Sequence, residues 1–225
     1  HVGFGHQRLS IIDLSNYGSQ PMVDETLELT LVFNGTIYNY KSLRSKLSNK
    51  GYSFFSHSDT EVIIKAYHFW GEKCLAHLDD MFAFAIWSHS TKKLFIARDR
   101  MGIKPLYFNS TSKAFTFASN SQALLTQELD KSINPIALQQ QLSLHGVVPA
   151  PNTIINGIQK LKPGSYMILS SDAPFPQQTS FLPPATPPLH ALRHDESLPT
   201  PHQLFTPPVT TSMTPSALPL ALLLS

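Results

Sequence analysis

Met81-Phe82-Ala83-Phe84-Ala85-Ile86-Trp87, then the polar run 88–92, then Lys93-Leu94-Phe95-Ile96-Ala97, read as two strands joined by a turn. Aromatic and branched apolar residues fill both runs, and polar residues break them. Upstream, 29–33 (LTLVF) is a further strand, expected to end at Asn34-Gly35. Residues 40–47 (YKSLRSKL) place Leu43 and Leu47 at helical spacing, with Gly51 closing the helix. Ser58-Asp59-Thr60-Glu61 has the form of a capping box, in which Ser58 caps a helix and Glu61 reaches back to its start. That helix runs through Val62, Ile63, Ala66 and Tyr67 towards Trp70 and stops at Gly71. Downstream come short strands at 106–108 and 114–118, and a helix over 135–144 with Pro135 in its first turn. Several antiparallel strands with helices between them, without strict βαβ alternation, predict an α+β layered fold.

At 225 residues and 42% hydrophobic composition, the chain can bury a sizeable core. Its formal charge is only +2 and no basic stripe is visible, which argues against nucleic acid as a partner. No apolar run approaches the roughly 20 residues needed to cross a bilayer, so no membrane partner is expected. The single cysteine, Cys74, rules out an internal disulfide and fits a reducing, cytoplasmic setting. No histidine spacing such as HExxH occurs, and no metal site is expected. From Asp172 onward proline dominates (Pro174, Pro176, Pro183, Pro184, Pro187, Pro188) and charge is scarce. Proline removes backbone donors and fixes φ. The expected division is therefore a folded domain at 1–171 and a disordered, proline-rich tail at 172–225.

More specific words stand in the first three quarters of the chain. Gly5-His6-Gln7-Arg8-Leu9-Ser10-Ile11-Ile12-Asp13-Leu14 is followed by Gln20-Pro21-Met22 and by Val32-Phe33-Asn34-Gly35-Thr36-Ile37-Tyr38-Asn39. Then come Ser58-Asp59-Thr60-Glu61, Met81-Phe82-Ala83-Phe84 and Ala97-Arg98-Asp99-Arg100-Met101-Gly102-Ile103-Lys104-Pro105-Leu106-Tyr107. In this order and spacing they resemble the class II glutamine amidotransferase domain of asparagine synthetases, over residues 1–170. Asp80 departs from the pattern, standing where the family usually has glycine. A finer resemblance, on Gln20-Pro21-Met22-Val23-Asp24, Phe54-Phe55-Ser56-His57 and His145-Gly146-Val147-Val148-Pro149-Ala150-Pro151, is to the branch that amidates the dipeptide N-acetylglutaminylglutamine.

The resemblance implies a four-layer αββα N-terminal-nucleophile hydrolase sandwich, here incomplete at its N-terminus. It also implies an N-terminal cysteine that attacks the side-chain amide of L-glutamine, with its own α-amine as base. Ammonia would pass to a synthetase domain. Carried over by motif, Arg8 would hold the glutamine α-carboxylate, for which a planar guanidinium is suited; the alternative is a surface arginine after a strand. Ile11 and Ile12 would line the ligand with their backbone and pack their side chains as strand core. Asn34 and Gly35 would form the oxyanion hole, although Asn-Gly between apolar runs is also the strongest hairpin signal. Thr36 stands where asparagine synthetases usually carry a glutamate that contacts the substrate amine; the dipeptide-amidating branch also lacks that glutamate. Asp59 would pair with the α-ammonium, or else serve the electrostatics of the helix start. Arg98-Asp99-Arg100 with Gly102 and Pro105 is expected to be structural, with its charges paired locally. Cys74, in a helical stretch with no base beside it in sequence, is expected to be buried and inert.

No cysteine precedes His1 in this sequence, and no Ser-Gly-Gly-x-Asp-Ser loop for pyrophosphate follows. ATP and Mg are therefore expected only for a synthetase domain outside these residues, with no cofactor in this one. Three functions remain open at this stage. The chain is the glutaminase part of an ATP-dependent amidotransferase, not itself able to hydrolyse glutamine; or a non-catalytic remnant that binds glutamine; or an interaction module docking through its proline-rich tail. The tail lacks a clear Arg- or Lys-flanked PxxP element, which ranks the last reading lowest.

Overall fold

The computed structural model describes residues 2–7, 12–111, 114–126, 128–170 and 177–182, and Asp80 by its backbone alone. In chain order the elements are β1 (Met22–Asp24), β2 (Leu29–Ile37), α1 (Tyr40–Ser48), α2 (Asp59–Trp70), a 3-10 turn at Gly71–Ala76, β3 (Asp80–Ser88) and β4 (Lys93–Arg98). Then come β5 (Tyr107–Ser110), β6 (Phe115–Ala118), α3 (Ser121–Leu124), α4 (Pro135–Ser143), β7 (Gln159–Lys160), β8 (Ser165–Ser170) and β9 (Gln178–Ser180). Two antiparallel sheets result, ordered β1-β2-β3-β4-β8-β9 and β6-β5-β7.

The alternation within β3 sorts the layers. Phe82, Phe84 and Ile86 point to one face of the larger sheet, where they join Leu31, Phe33 and Phe95 under Leu43, Leu47, Val62 and Ile63 of α1 and α2. Ala83 and Ala85 point to the other face, where Val32, Ile96 and Met167 meet Phe108 of the smaller sheet and Leu106 just before it. Small alanines on that second face leave space between the sheets. The hairpin of β3 and β4 forms as its sequence predicts, with Ser88 opposite Lys93.

Two expectations about strands need correction. Asn34 and Gly35 do not end a strand in a turn; β2 continues through them to Ile37, paired with β3 along its whole length. Residues 178–180, within the stretch expected to lack regular structure, form β9 on β8. Gln178, Thr179 and Ser180 lie between prolines and are not proline themselves, so each keeps a backbone donor. Of the remaining expected tail, 172–176 and 183–225 lie outside the described residues.

The start of α2 matters most for the site. Ser58 caps it by accepting from the Thr60 N–H (3.1 Å). Glu61 does not return to the cap itself: its carboxylate accepts from the N–H groups of Phe55 (2.9 Å) and Ser56 (2.7 Å) and from the Ser56 hydroxyl. The loop into the helix is thus fastened from below by a fully buried carboxylate, which Lys65, itself paired with Asp24 at 2.6 Å, partly neutralises. Ser58→Ala is expected to cost about 1 kcal/mol, lowering the melting temperature by about 2–4 °C for a domain of this size. Thermal unfolding followed by circular dichroism checks this; an unchanged midpoint would show the cap to be dispensable.

A candidate amino-acid cleft at the edge of β2

Where β1 ends, the edge of β2 has no neighbouring strand among the described residues. β1 pairs only with Leu29, Thr30 and Leu31. In an antiparallel ladder alternate residues turn their N–H and C=O to opposite sides. The Glu28 carbonyl accepts from His89 on the β3 side, so residues 30, 32, 34 and 36 face β3 while 31, 33, 35 and 37 face away. The side-chain contacts agree. The Phe33 N–H donates to Gln20 Oε1 (2.6 Å), His6 Nε2 meets the Phe33 carbonyl (3.0 Å), and the Ile37 N–H donates to Asp59 Oδ2 (3.1 Å). Between these capped groups lies Gly35, whose N–H turns to the same side and which no described residue caps.

That edge opens into a cleft of about 510 Å³, within the usual range for small-molecule sites. Ile12, Asn34, Gly35, Thr36 and Asp59, five of the seven residues singled out from the sequence, line it together. Arg8 and Ile11 lie outside the described residues. Ile12 corrects one expectation: it sits in a bend outside any strand, half-buried, and belongs to neither core cluster. Asn34 is half-buried, and its side-chain amide makes no hydrogen bond among the described residues.

Asp59 is the buried charge of the cleft, only 5% exposed. Burial raises its carboxyl above the ordinary value, against the lowering effect of hydrogen bonds from the N–H groups of Ile37 and Thr60. It stands at the first position of α2, so the helix-start role holds in the structure. Asp13, which follows Ile12 in the chain, is half-buried. Asp13 takes the Ser15 hydroxyl and the His57 N–H (2.8 Å), which hold its carboxyl below the usual range and tie the segment after Ile12 to the residue before Ser58.

The Arg98-Asp99-Arg100 motif builds a wall rather than a set of ion pairs, which corrects the expected local pairing. Arg98 donates to the carbonyls of Lys104 (2.7 Å), Gly102 (2.6 Å) and Leu161 (2.6 Å). Asp99 accepts from the N–H groups of Met101, Ile103 and Lys104. Arg100 donates to the carbonyls of Leu78 and Leu75. Together they shape the turn that presents Lys104, Pro105 and Leu106 to the cleft. Cys74 lies elsewhere, fully buried in the 3-10 turn, with burial pushing its thiol up to about 12.

Sequence reasoning missed His6 and Gln20 as parts of the site. Both were legible only as words of a motif, because their partners are backbone groups set by where β1 stops.

The fold is that of a glutamine amidotransferase domain. The chain belongs to that family: the model of the glutamine amidotransferase domain matches residues 1–179. Asparagine synthetase [glutamine-hydrolyzing] 1 of Bacillus subtilis is 42% identical over 181 residues, covering 80% of this chain and 28% of the relative. Amidase chry2 of Gibberella zeae is 35% identical over 168 residues, 75% of this chain and 24% of that protein. The chain thus spans less than a third of the length of these relatives. Among solved structures, glutamine phosphoribosylpyrophosphate amidotransferase from B. subtilis shares the fold, with a TM-score of 0.55 at 20% identity over 79% of this chain and 34% of that one. Among the described residues no helix is long and apolar enough to cross a membrane.

Proposed function

We propose that this chain is the glutamine-binding part of an ATP-dependent, asparagine-synthetase-like amidotransferase acting in the cytoplasm. The observation that carries the reading is the β2 edge, where the Gly35 N–H and the Asn34 amide have no partner among the described residues and line the same cleft as the Asp59 carboxylate. A carbonyl oxygen that becomes negative on attack needs such fixed donors, and removing one typically lowers the rate about 10²–10³-fold. An α-ammonium needs a carboxylate partner, supplied by Asp59, and the α-carboxylate would fall to Arg8. Ile12 and Thr36 would complete the lining. Thr36, in place of a glutamate, supports the dipeptide-amidating branch.

Amide hydrolysis also needs a nucleophile. In the family this is an N-terminal cysteine, whereas Cys74 is the one cysteine of these 225 residues. A thiol at about 12 and fully buried is neither ionised nor reachable at neutral pH. As the sequence stands, its residues support binding without turnover, and ATP with Mg would act in a synthetase domain. The purified 225-residue chain is therefore expected to bind L-glutamine in isothermal titration and to release no ammonia from it. Ammonia release by the pure chain would overturn the assignment of Cys74 as inert. Absence of any heat with L-glutamine would overturn the binding reading.

A further inference from the structure

Gln20 bridges two parts of the cleft, Phe33 and Thr60, that lie 27 residues apart in the chain. Its Oε1 accepts the Phe33 N–H at 2.6 Å, a short bond for neutral partners. Because that oxygen must face an N–H donor, the orientation of the side-chain amide is fixed and Nε2 points the other way. There it reaches the hydroxyl of buried Thr60 at 3.5 Å, a long contact, one residue beyond Asp59. Gln20 therefore caps the edge of β2 where no described strand pairs with it, and links that edge to the start of α2.

The consequence lies two residues along the strand. The Gly35 N–H belongs to the same row as the Phe33 N–H, and its direction depends on β2 keeping its extended path past the end of β1. The geometry points to Gln20 as a positioning residue that aims the Gly35 N–H at the ligand's side-chain carbonyl oxygen. It acts through the backbone and does not itself touch the ligand. This rests on the glutamine reading above.

The experiment compares L-glutamine with L-norvaline, which has the same carbon chain without the side-chain amide, by isothermal titration of the full 225-residue chain. Gln20→Met keeps length and removes both polar atoms; Gln20→Glu keeps an acceptor for the Phe33 N–H. Amide hydrogen exchange of Phe33 and Gly35 is measured on the same three proteins. In Gln20→Met, affinity for L-glutamine is expected to fall about five- to tenfold, as for loss of one neutral hydrogen bond, while that for L-norvaline is unchanged. Phe33 exchange should speed up, and Gln20→Glu should restore most of both. Parallel loss for the two ligands would assign Gln20 a merely structural role and overturn the proposal, as would unchanged Phe33 exchange. A wild-type chain that binds no glutamine sinks the underlying reading and the ligand half of this one, whereas the exchange result judges the strand half separately.

Discussion

Gly35→Ala is expected to lose most of its folded population, through backbone geometry alone. Gly35 sits at φ +153°, where side chains are rarely tolerated, and a Cβ built there would lie 2.3 Å from the Met81 carbonyl oxygen and 2.9 Å from Phe82 Cα. Both belong to the backbone of β3, which is paired on its far side with β4 and has no room to retreat. A third contact, Phe33 Cε2 at 2.8 Å, is in the main core. Relief requires parting β2 from β3 at the centre of the larger sheet, an effect in the exceptional class of about 4–5 kcal/mol or more. Set against a typical total of about 5–15 kcal/mol, that removes much or all of the margin. The urea midpoint should fall by about 2 M. Gly71→Ala is the control: φ is +59° and nothing lies within 4 Å, so only the left-handed backbone strain of about 1–2 kcal/mol applies. Equal losses in the two variants would refute the close-approach argument.

The same glycine shows where sequence reading stops. Asn34-Gly35 carries a strong turn signal, and the strand was expected to end there. In the fold the freedom of glycine serves a close approach between strands, a use with no local signature because the neighbouring backbone, that of Met81 and Phe82, is 46 and 47 residues away. Elements governed by local chemistry were legible: the hairpin of β3 and β4, the Ser58 cap and Pro135 at the start of α4. What escaped were the partners of charged and amide side chains. Glu61, Arg98, Asp99, Arg100 and Gln20 all bind main-chain groups, and every residue has a main chain, so composition cannot reveal which one is chosen. The cleft itself was legible as a set of residues brought from motifs. Gly35 was expected as a donor through the resemblance alone; the reason its N–H lies open, that β1 is only three residues long, has no local signature.

Asp59→Asn is expected to separate binding from stability. In the free protein burial raises the Asp59 carboxyl above its unfolded value. The folded state therefore takes up a proton more readily than the unfolded chain, and the stabilisation fully present below the unfolded pKa is lost as pH rises through the folded one. At neutral pH the ionised group is a liability to the empty cleft, and asparagine removes it. Against that gain, one amide oxygen replaces two carboxylate oxygens, so the donors now satisfied separately, Ile37 N–H on Oδ2 and Thr60 N–H on Oδ1, compete for it. The two changes oppose each other, and the melting temperature at neutral pH should move little. Its dependence on acid pH should flatten. Binding has no such offset. Losing one partner of a buried charged pair costs about 2–5 kcal/mol, so L-glutamine affinity should fall about 10²–10³-fold. Glutaramate, which lacks the α-ammonium, should bind the variant no worse than the wild type, as titration of both ligands will show. If the variant held glutamine as tightly as the wild-type chain, Asp59 would be only the first residue of a helix, and the carboxylate would have no part in recognising an amino acid.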